Sequence, residues 1–197
     1  TGMYNNILII ATEILSRVTN FEDRNTCVLF GDGSAAFVLT PSEKDKILGL
    51  HLGSDGSKAD ILSQPAGGSK IPASQESINK NLHTLQMDGP AVFRDAVKRM
   101  REGLKKACEQ AGIKPSELDW IIPHQANIRI MEAVRKFSKL DENQLINTIQ
   151  THANTSASTI GIAMDMSVRS GKIKRGDLIG MTAFGAGLSW GGAVVEF

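Results

Sequence analysis

Short apolar runs open the chain, and helical periodicity takes over in its second half. Asn6–Ile14 is an apolar run with Asn and Thr at its margins and predicts a buried strand. Thr26–Thr40 reads as strand, Gly-Asp-Gly turn and strand. Lys46–Leu52 alternates and predicts another strand. From Gly53 to Gly89 the chain is rich in Ser, Gly, Pro, Lys and Gln, so it reads as mostly loop. A loop of that length is usually functional or connects two halves. Pro90 then opens a strong helix. Phe93, Ala96, Val97, Met100, Leu104, Ala107, Cys108 and Ala111 line one face of it, and Gly112 is its natural C-cap. Asp119–Ile122 predicts a short buried strand that Pro123 ends, because proline cannot donate to a ladder. Asn127 is a good N-cap for a helix carrying Ile128, Met131, Val134 and Phe137. Gln144–Ile149 reads as a short strand and Asn154–Ser170 as a helix of small residues. Asp177–Phe184 and Ser189–Phe197 read as strands joined through Gly185-Ala186-Gly187. This alternation indicates a mixed sheet covered by helices, an α/β fold. Phe30-Gly31-Asp32-Gly33 and Phe184-Gly185-Ala186-Gly187 each follow an apolar segment, which reads either as a duplicated domain or as coincidence.

Composition narrows the field. The chain has 197 residues and a net charge of +1, so no global field argues for nucleic acid or an acidic membrane surface. Its two cysteines, Cys27 and Cys108, lie in apolar segments, which argues for a reducing compartment and a cytoplasmic location. No C-x-x-C or H-E-x-x-H spacing occurs and the four histidines are scattered, so no metal site is expected. No apolar run is long enough to span a bilayer. The opening Thr1-Gly2-Met3 reads as the approach to a strand, as in the middle of a longer protein.

Several residues could carry chemistry. His124 falls just past the carboxyl end of a strand, where ligands bind in open α/β sheets. It could serve there, or be a satisfied turn histidine. Asn154 could cap a helix, present a side-chain amide donor, or do both. Gly31-Asp32-Gly33-Ser34-Ala35-Ala36 resembles a dinucleotide fingerprint but leads into a strand instead of a helix, so that reading fails. Gly185-Ala186-Gly187 could aim a backbone N–H at an oxyanion or be only a hairpin. Arg129, Arg135, Lys136, Arg169, Lys172, Lys174 and Arg175 form a basic patch or simply a solvated face. Met87 and Phe93 suit a core or a tunnel wall, and both cysteines read as core.

Three segments together carry a resemblance. They are Trp120-Ile-Ile-Pro-His124-Gln-Ala-Asn127-Ile-Arg129, His152-Ala-Asn154-Thr-Ser156 and Phe184-Gly-Ala-Gly-Leu-Ser-Trp-Gly. With Asp23-Arg24-Asn25-Thr26 through Phe30-Gly31-Asp32-Gly33, they resemble the β-ketoacyl-[acyl-carrier-protein] synthase III family. The usual Gly before Asn154 is Ala153 here, the usual three glycines after Phe184 are Gly185-Ala186-Gly187, and Pro90 stands where many members have a polar residue. The family's nucleophilic cysteine lies upstream of residue 1. The resemblance implies a thiolase-like fold, layered αβαβα with mixed sheets. Residues 1–82 would be the remainder of the first half with a connecting loop, and residues 83–197 the second half. It implies condensation of an acyl-CoA primer with malonyl-acyl carrier protein and no cofactor beyond the CoA and phosphopantetheine thioesters. His124 and Asn154 would be catalytic, and the backbone of Ala186 would form the acyl-transfer oxyanion site. Arg24, Met87, Phe93 and Asn127 would line the CoA and pantetheine channel. Gln125, Ala126, Asn127, Ile128 and Arg129 would dock the carrier protein. Acyl carrier protein, a second copy in a homodimer, and an N-terminal fragment of the same protein are the implied partners. A related acyltransferase, a condensing enzyme of secondary metabolism and a non-catalytic truncated subunit are the alternatives.

Overall fold

The computed structural model describes residues 3–197; Thr1 and Gly2, read above as the approach to a strand, lie outside the described residues. The chain begins with β1 (Ile7–Glu13), β2 (Gly33–Leu39) and β3 (Ile47–Ser54). Short elements follow: β4 (Leu62–Ser63), α1 (Gln75–Asn79) and β5 (Gln86–Met87). The second part runs α2 (Gly89–Gln110), β6 (Trp120–Pro123), α3 (Ile128–Ser138), α4 (Ile149–His152), α5 (Thr159–Arg169), β7 (Leu178–Gly185) and β8 (Ser189–Glu196).

A four-stranded mixed sheet, ordered β3-β8-β7-β6, is the centre. β6 runs parallel to β7, and the other two pairings are antiparallel. Along β6 the side chains alternate between faces, as a pleated strand requires. Ile121 packs with Met100, Leu104, Met131 and Val134 of α2 and α3, whereas Ile122 packs with Ile146, Ala163, Ile173 and Ile179 on the α5 side. α2 lies against the sheet with its backbone almost touching. A Cβ on Gly192 would fall 2.3 Å from the Gly103 carbonyl, and one on Gly49 would fall 2.0 Å from the Ala107 oxygen. The glycines here are a steric requirement of helix-on-sheet contact.

The α2 boundaries follow from their caps. The Asp88 carboxylate accepts from Ala91 N–H at 3.0 Å, and Pro90 sits in the first turn, where its missing N–H costs nothing. At the other end Gly112 adopts φ +70°. Ile113 N–H then reaches Cys108 O at 3.0 Å and Gly112 N–H reaches Glu109 O at 3.2 Å, a complete Schellman closure.

Four of the expectations need correcting. Thr26–Leu29 forms turns, not a strand, and Phe30 makes only an isolated bridge to Asn154. Asp23 captures Asn25 N–H at 3.0 Å and the Thr26 hydroxyl at 2.9 Å, which curls the segment before it can extend. Gln144–Ile149 is not a strand either. Leu145 makes a single bridge to Ile121, and the capping box of Asp141 and Gln144 holds the preceding residues in a 3₁₀ turn. The helix predicted from Asn154 starts at Thr159, after a 3₁₀ turn at Ser156–Ser158. β1 forms as expected, but it is exposed: Leu8 is 59% and Ile10 62% accessible. It pairs with β2 alone among the described residues, and an apolar run reports affinity for a partner, not the presence of one. The segment read as loop, Gly53 to Gly89, carries only short elements.

Candidate active site

His124 is delivered by the parallel ladder. Its N–H donates to Thr182 O at 2.7 Å, extending the β6–β7 pairing one residue past Pro123. Asn127 then caps α3, accepting Arg129 N–H at 2.8 Å. Between them Gln125 is fully buried at 0% exposure. Its amide nitrogen donates to Pro123 O at 2.6 Å and to Ile146 O at 3.3 Å, and its oxygen accepts Thr148 N–H at 2.9 Å. Gln125 therefore stitches the His124 turn to the segment leading into α4. It presents no surface to a carrier protein, which corrects the docking role expected for it.

Asn154 arrives from the other side. Ala153 precedes it with φ +54° and ψ −162°, a region that side chains other than glycine's rarely occupy. The strand-like clasp of Asn154 N–H to Leu29 O at 2.9 Å and Gly31 N–H to Asn154 O at 3.0 Å fixes the backbone. Its side-chain oxygen accepts Ser156 N–H at 2.9 Å, which leaves the amide NH2 as the free end. Asn154 thus closes a local turn and caps no helix, since Ser158 is the N-cap of α5, which corrects the capping reading. On His124, the Nδ1 atom lies 2.7 Å from the Thr159 hydroxyl. Burial pushes the imidazole down to about 4, so it is neutral at physiological pH.

His124 and Asn154 share the wall of one cavity of about 1030 Å³, together with Ala186, Met87, Phe93, Ala126, Asn127 and Arg129. Arg129 is exposed at its rim, with the guanidinium 5.3 Å from the centre of the Phe93 ring. Ile128 is 39% exposed and is not in the wall. Arg24 is also exposed and outside the wall, which its neighbour Asn25 joins instead. Ala186 sits in the turn between β7 and β8, whose far end is anchored by reciprocal bonds between Leu188 and Asp55 at 2.8 and 2.9 Å. Cys108 is buried in the core and its thiol is pushed up to about 11, first by desolvation, so it is no nucleophile. Cys27 is half-buried and is not among the cavity residues. The basic patch is not a free cluster. Arg135 is buried and bonded to Glu132 and to Leu140 O, and Arg169 is paired with Asp165. Among the described residues no group of three or more His, Cys, Asp or Glu could hold a metal, and no helix is long and apolar enough to cross a membrane.

Sequence reasoning missed Thr159, Ser156 and the Leu29–Gly31 clasp. Each acts through loop geometry that no periodicity encodes.

A mixed sheet between helix layers, with a histidine past one strand end and an asparagine facing the same cavity, defines a thiolase-like α/β protein. The solved 3-oxoacyl-[acyl-carrier-protein] synthase III of Aquifex aeolicus superposes with a TM-score of 0.86 at 39% identity, over 98% of this chain and 58% of that one. A priming β-ketosynthase from a polyketide biosynthetic pathway superposes at 0.87 with 31% identity, over all of this chain and 58% of the other. The family models for 3-oxoacyl-[acyl-carrier-protein] synthase III and for its C-terminal part match residues 1–56 and 108–197. A β-ketoacyl-[acyl-carrier-protein] synthase III from Caldanaerobacter subterraneus is 48% identical over the whole chain. The chain belongs to this synthase III family and corresponds to its carboxyl-terminal portion. It spans about 60% of the length of the curated relatives it matches.

Proposed function

We propose that the protein carrying this sequence condenses an acyl-CoA primer, acetyl-CoA first among candidates, with malonyl-acyl carrier protein to give 3-oxoacyl-acyl carrier protein. The observation that carries this reading is that a neutral imidazole, His124, and a side-chain amide, Asn154, line one cavity wall. Loss of carbon dioxide from a malonyl thioester leaves an electron pair that delocalises onto the thioester oxygen. Preorganised neutral donors stabilise that oxygen, and removing one such donor costs about 10²–10³ in rate. The enolate carbon then attacks the carbonyl of an acyl group held as a thioester on a cysteine, and collapse of the tetrahedral intermediate breaks the C–S bond and releases the thiolate. Neither Cys27 nor Cys108 suits that part, so the nucleophile is supplied from outside residues 1–197. The Ala186 N–H, at the cavity, would bind the oxyanion of acyl transfer.

Acyl carrier protein is the proposed partner at the Arg129 rim, with Ala126, Asn127 and Ile128 beside it. A basic residue there steers an acidic protein and fixes its approach. A homodimer of the protein that carries this sequence is proposed as well. Residues 1–82 and 83–197 are the proposed halves. A second reading, priming of a different acyl chain in secondary metabolism, is supported by the likeness to the polyketide priming synthase.

The experiment is a donor and acceptor profile of the full reading frame that carries this sequence, read by mass spectrometry of the carrier protein. Formation of 3-oxobutyryl-carrier protein from acetyl-CoA supports the first reading. Preference for another primer selects the second, and acyl transfer without release of carbon dioxide rejects both.

A further inference from the structure

Thr159, the first residue of α5, is buried at 2% exposure. Its hydroxyl oxygen lies 2.7 Å from His124 Nδ1 and 2.9 Å from the Ser156 carbonyl oxygen. A hydroxyl has one proton and donates to only one of them. If that proton points at Ser156, His124 must donate from Nδ1, and Nε2 is left as a bare acceptor. If it points at His124, the ring carries its proton on Nε2. For an enolate oxygen in the cavity the first arrangement repels and the second binds.

Three observations select the second. The Ser156 carbonyl already accepts the backbone N–H of Thr159, so it does not need the hydroxyl. A separation of 2.7 Å matches an O–H donor, whose bonds cluster near about 2.7–2.8 Å, better than an N–H donor, which prefers about 2.9–3.0 Å. Nε2 has no hydrogen-bond partner among the described residues and is not a buried orphan, so it is the ring atom left for a ligand.

We propose that Thr159 is a positioning residue: it donates to Nδ1 and holds neutral His124 as the Nε2–H tautomer. This deepens the decarboxylation reading and rests on it for its catalytic meaning. The tautomer itself is a property of the folded chain. The sequence carries the requirement in Asn154-Thr155-Ser156-Ala157-Ser158-Thr159, where the turn at Ser156–Ser158 brings the head of α5 under the imidazole.

The test has two arms. The first is a long-range proton–nitrogen spectrum of the histidine-labelled protein, with the His124 signals assigned by their loss in His124→Gln. The expected pattern is an unprotonated, pyridine-type Nδ1 and a protonated, pyrrole-type Nε2. A pyrrole-type Nδ1 overturns the proposal without any variant at Thr159. The second arm compares Thr159→Val, which keeps shape and loses the hydroxyl, with Thr159→Ser, which keeps the hydroxyl. Carbon dioxide release from malonyl-acyl carrier protein should fall in kcat by about 10- to 100-fold in the valine variant, by analogy with the loss of a hydrogen-bond partner from a metal-bound imidazole. KM should stay level, and serine should restore both the rate and the wild-type spectrum. Valine leaving the spectrum and the rate unchanged overturns the proposal. A wild-type protein with the expected spectrum and no decarboxylation at all would keep the tautomer assignment and sink the functional reading instead.

Discussion

Replacing Ala153 by glycine should stabilise the protein without moving Asn154. Ala153 holds φ +54° and ψ −162°, where a side-chain methyl meets its own backbone. Such conformations cost on the order of 1–3 kcal/mol for a residue other than glycine. The conformation is held from both sides. Ala153 N–H is committed to Ile149 O at 2.9 Å, and Asn154 is clasped to Leu29 and Gly31. Glycine removes the strain but gains freedom in the unfolded chain, which offsets about 0.4–1 kcal/mol. Its lost methyl sits against Gly31, a contact with a small residue. The net expectation is a gain of roughly 0.5–2 kcal/mol. Urea denaturation would show it as a higher midpoint at unchanged slope. Activity should persist, because the three backbone bonds and the Ser156 N–H define the asparagine's position. A loss of 1 kcal/mol or more, on the scale expected for an ordinary Ala→Gly exchange, would refute the strained backbone at Ala153.

The remaining expectations concern charge, packing and thiols. Burial lowers the folded pKa of His124 from 6.5 to about 4, so the unfolded chain takes up the proton first as pH falls. Its contribution is therefore intact above about pH 6.5 and lost between there and about pH 4, in all roughly 3 kcal/mol, while a His124→Asn variant should lack this slope. Titration of His124 near 6.5 by nuclear magnetic resonance would contradict it. Gly192→Ala should cost about 1–3 kcal/mol or more, because the new methyl meets Gly103 backbone and not a movable side chain; an unchanged melting temperature would show that α2 lies farther from the sheet. Arg129→Glu should reduce kcat/KM for malonyl-acyl carrier protein on the order of tenfold at low salt, less at high salt, and leave malonyl-CoA use little changed; equal losses would indicate a structural role. Radiolabelled acetyl-CoA should leave no stable thioester on Cys27 or Cys108, and native alkylation should spare buried Cys108; label on either would make that cysteine the acceptor.

What the sequence revealed depended on whether a signal was local. α2 was legible because an apolar stripe, an opening proline and a terminal glycine agree within one segment, and α3 because an apolar stripe follows a capping asparagine. His124 was legible as the residue after the strand's proline, although the ladder runs through Pro123 to the His124 N–H instead of stopping before it. Thr26–Leu29 misled because its composition is strand-like, while the deciding group, Asp23, lies just outside it. Gln125 misled for a different reason. The resemblance grouped it with its neighbours as a docking residue, yet its three bonds reach 21 and 23 residues along the chain to Ile146 and Thr148 as well as back to Pro123. The meeting of Asn154 with His124 needed the β6–β7 ladder and the Leu29–Gly31 clasp together, so only the resemblance placed the two in one site before the fold did.

The claim at the centre is that the free amide of Asn154 donates to the developing enolate. The most direct measurement takes the full reading frame with Asn154→Asp and follows two radiolabels in parallel, acyl uptake from acetyl-CoA and carbon dioxide release from malonyl-acyl carrier protein. A carboxylate cannot donate and repels the enolate, so release should fall by about 10²–10³ while uptake stays near the wild-type rate. Equal loss of both labels in a folded variant, or release that survives the substitution, would contradict the account.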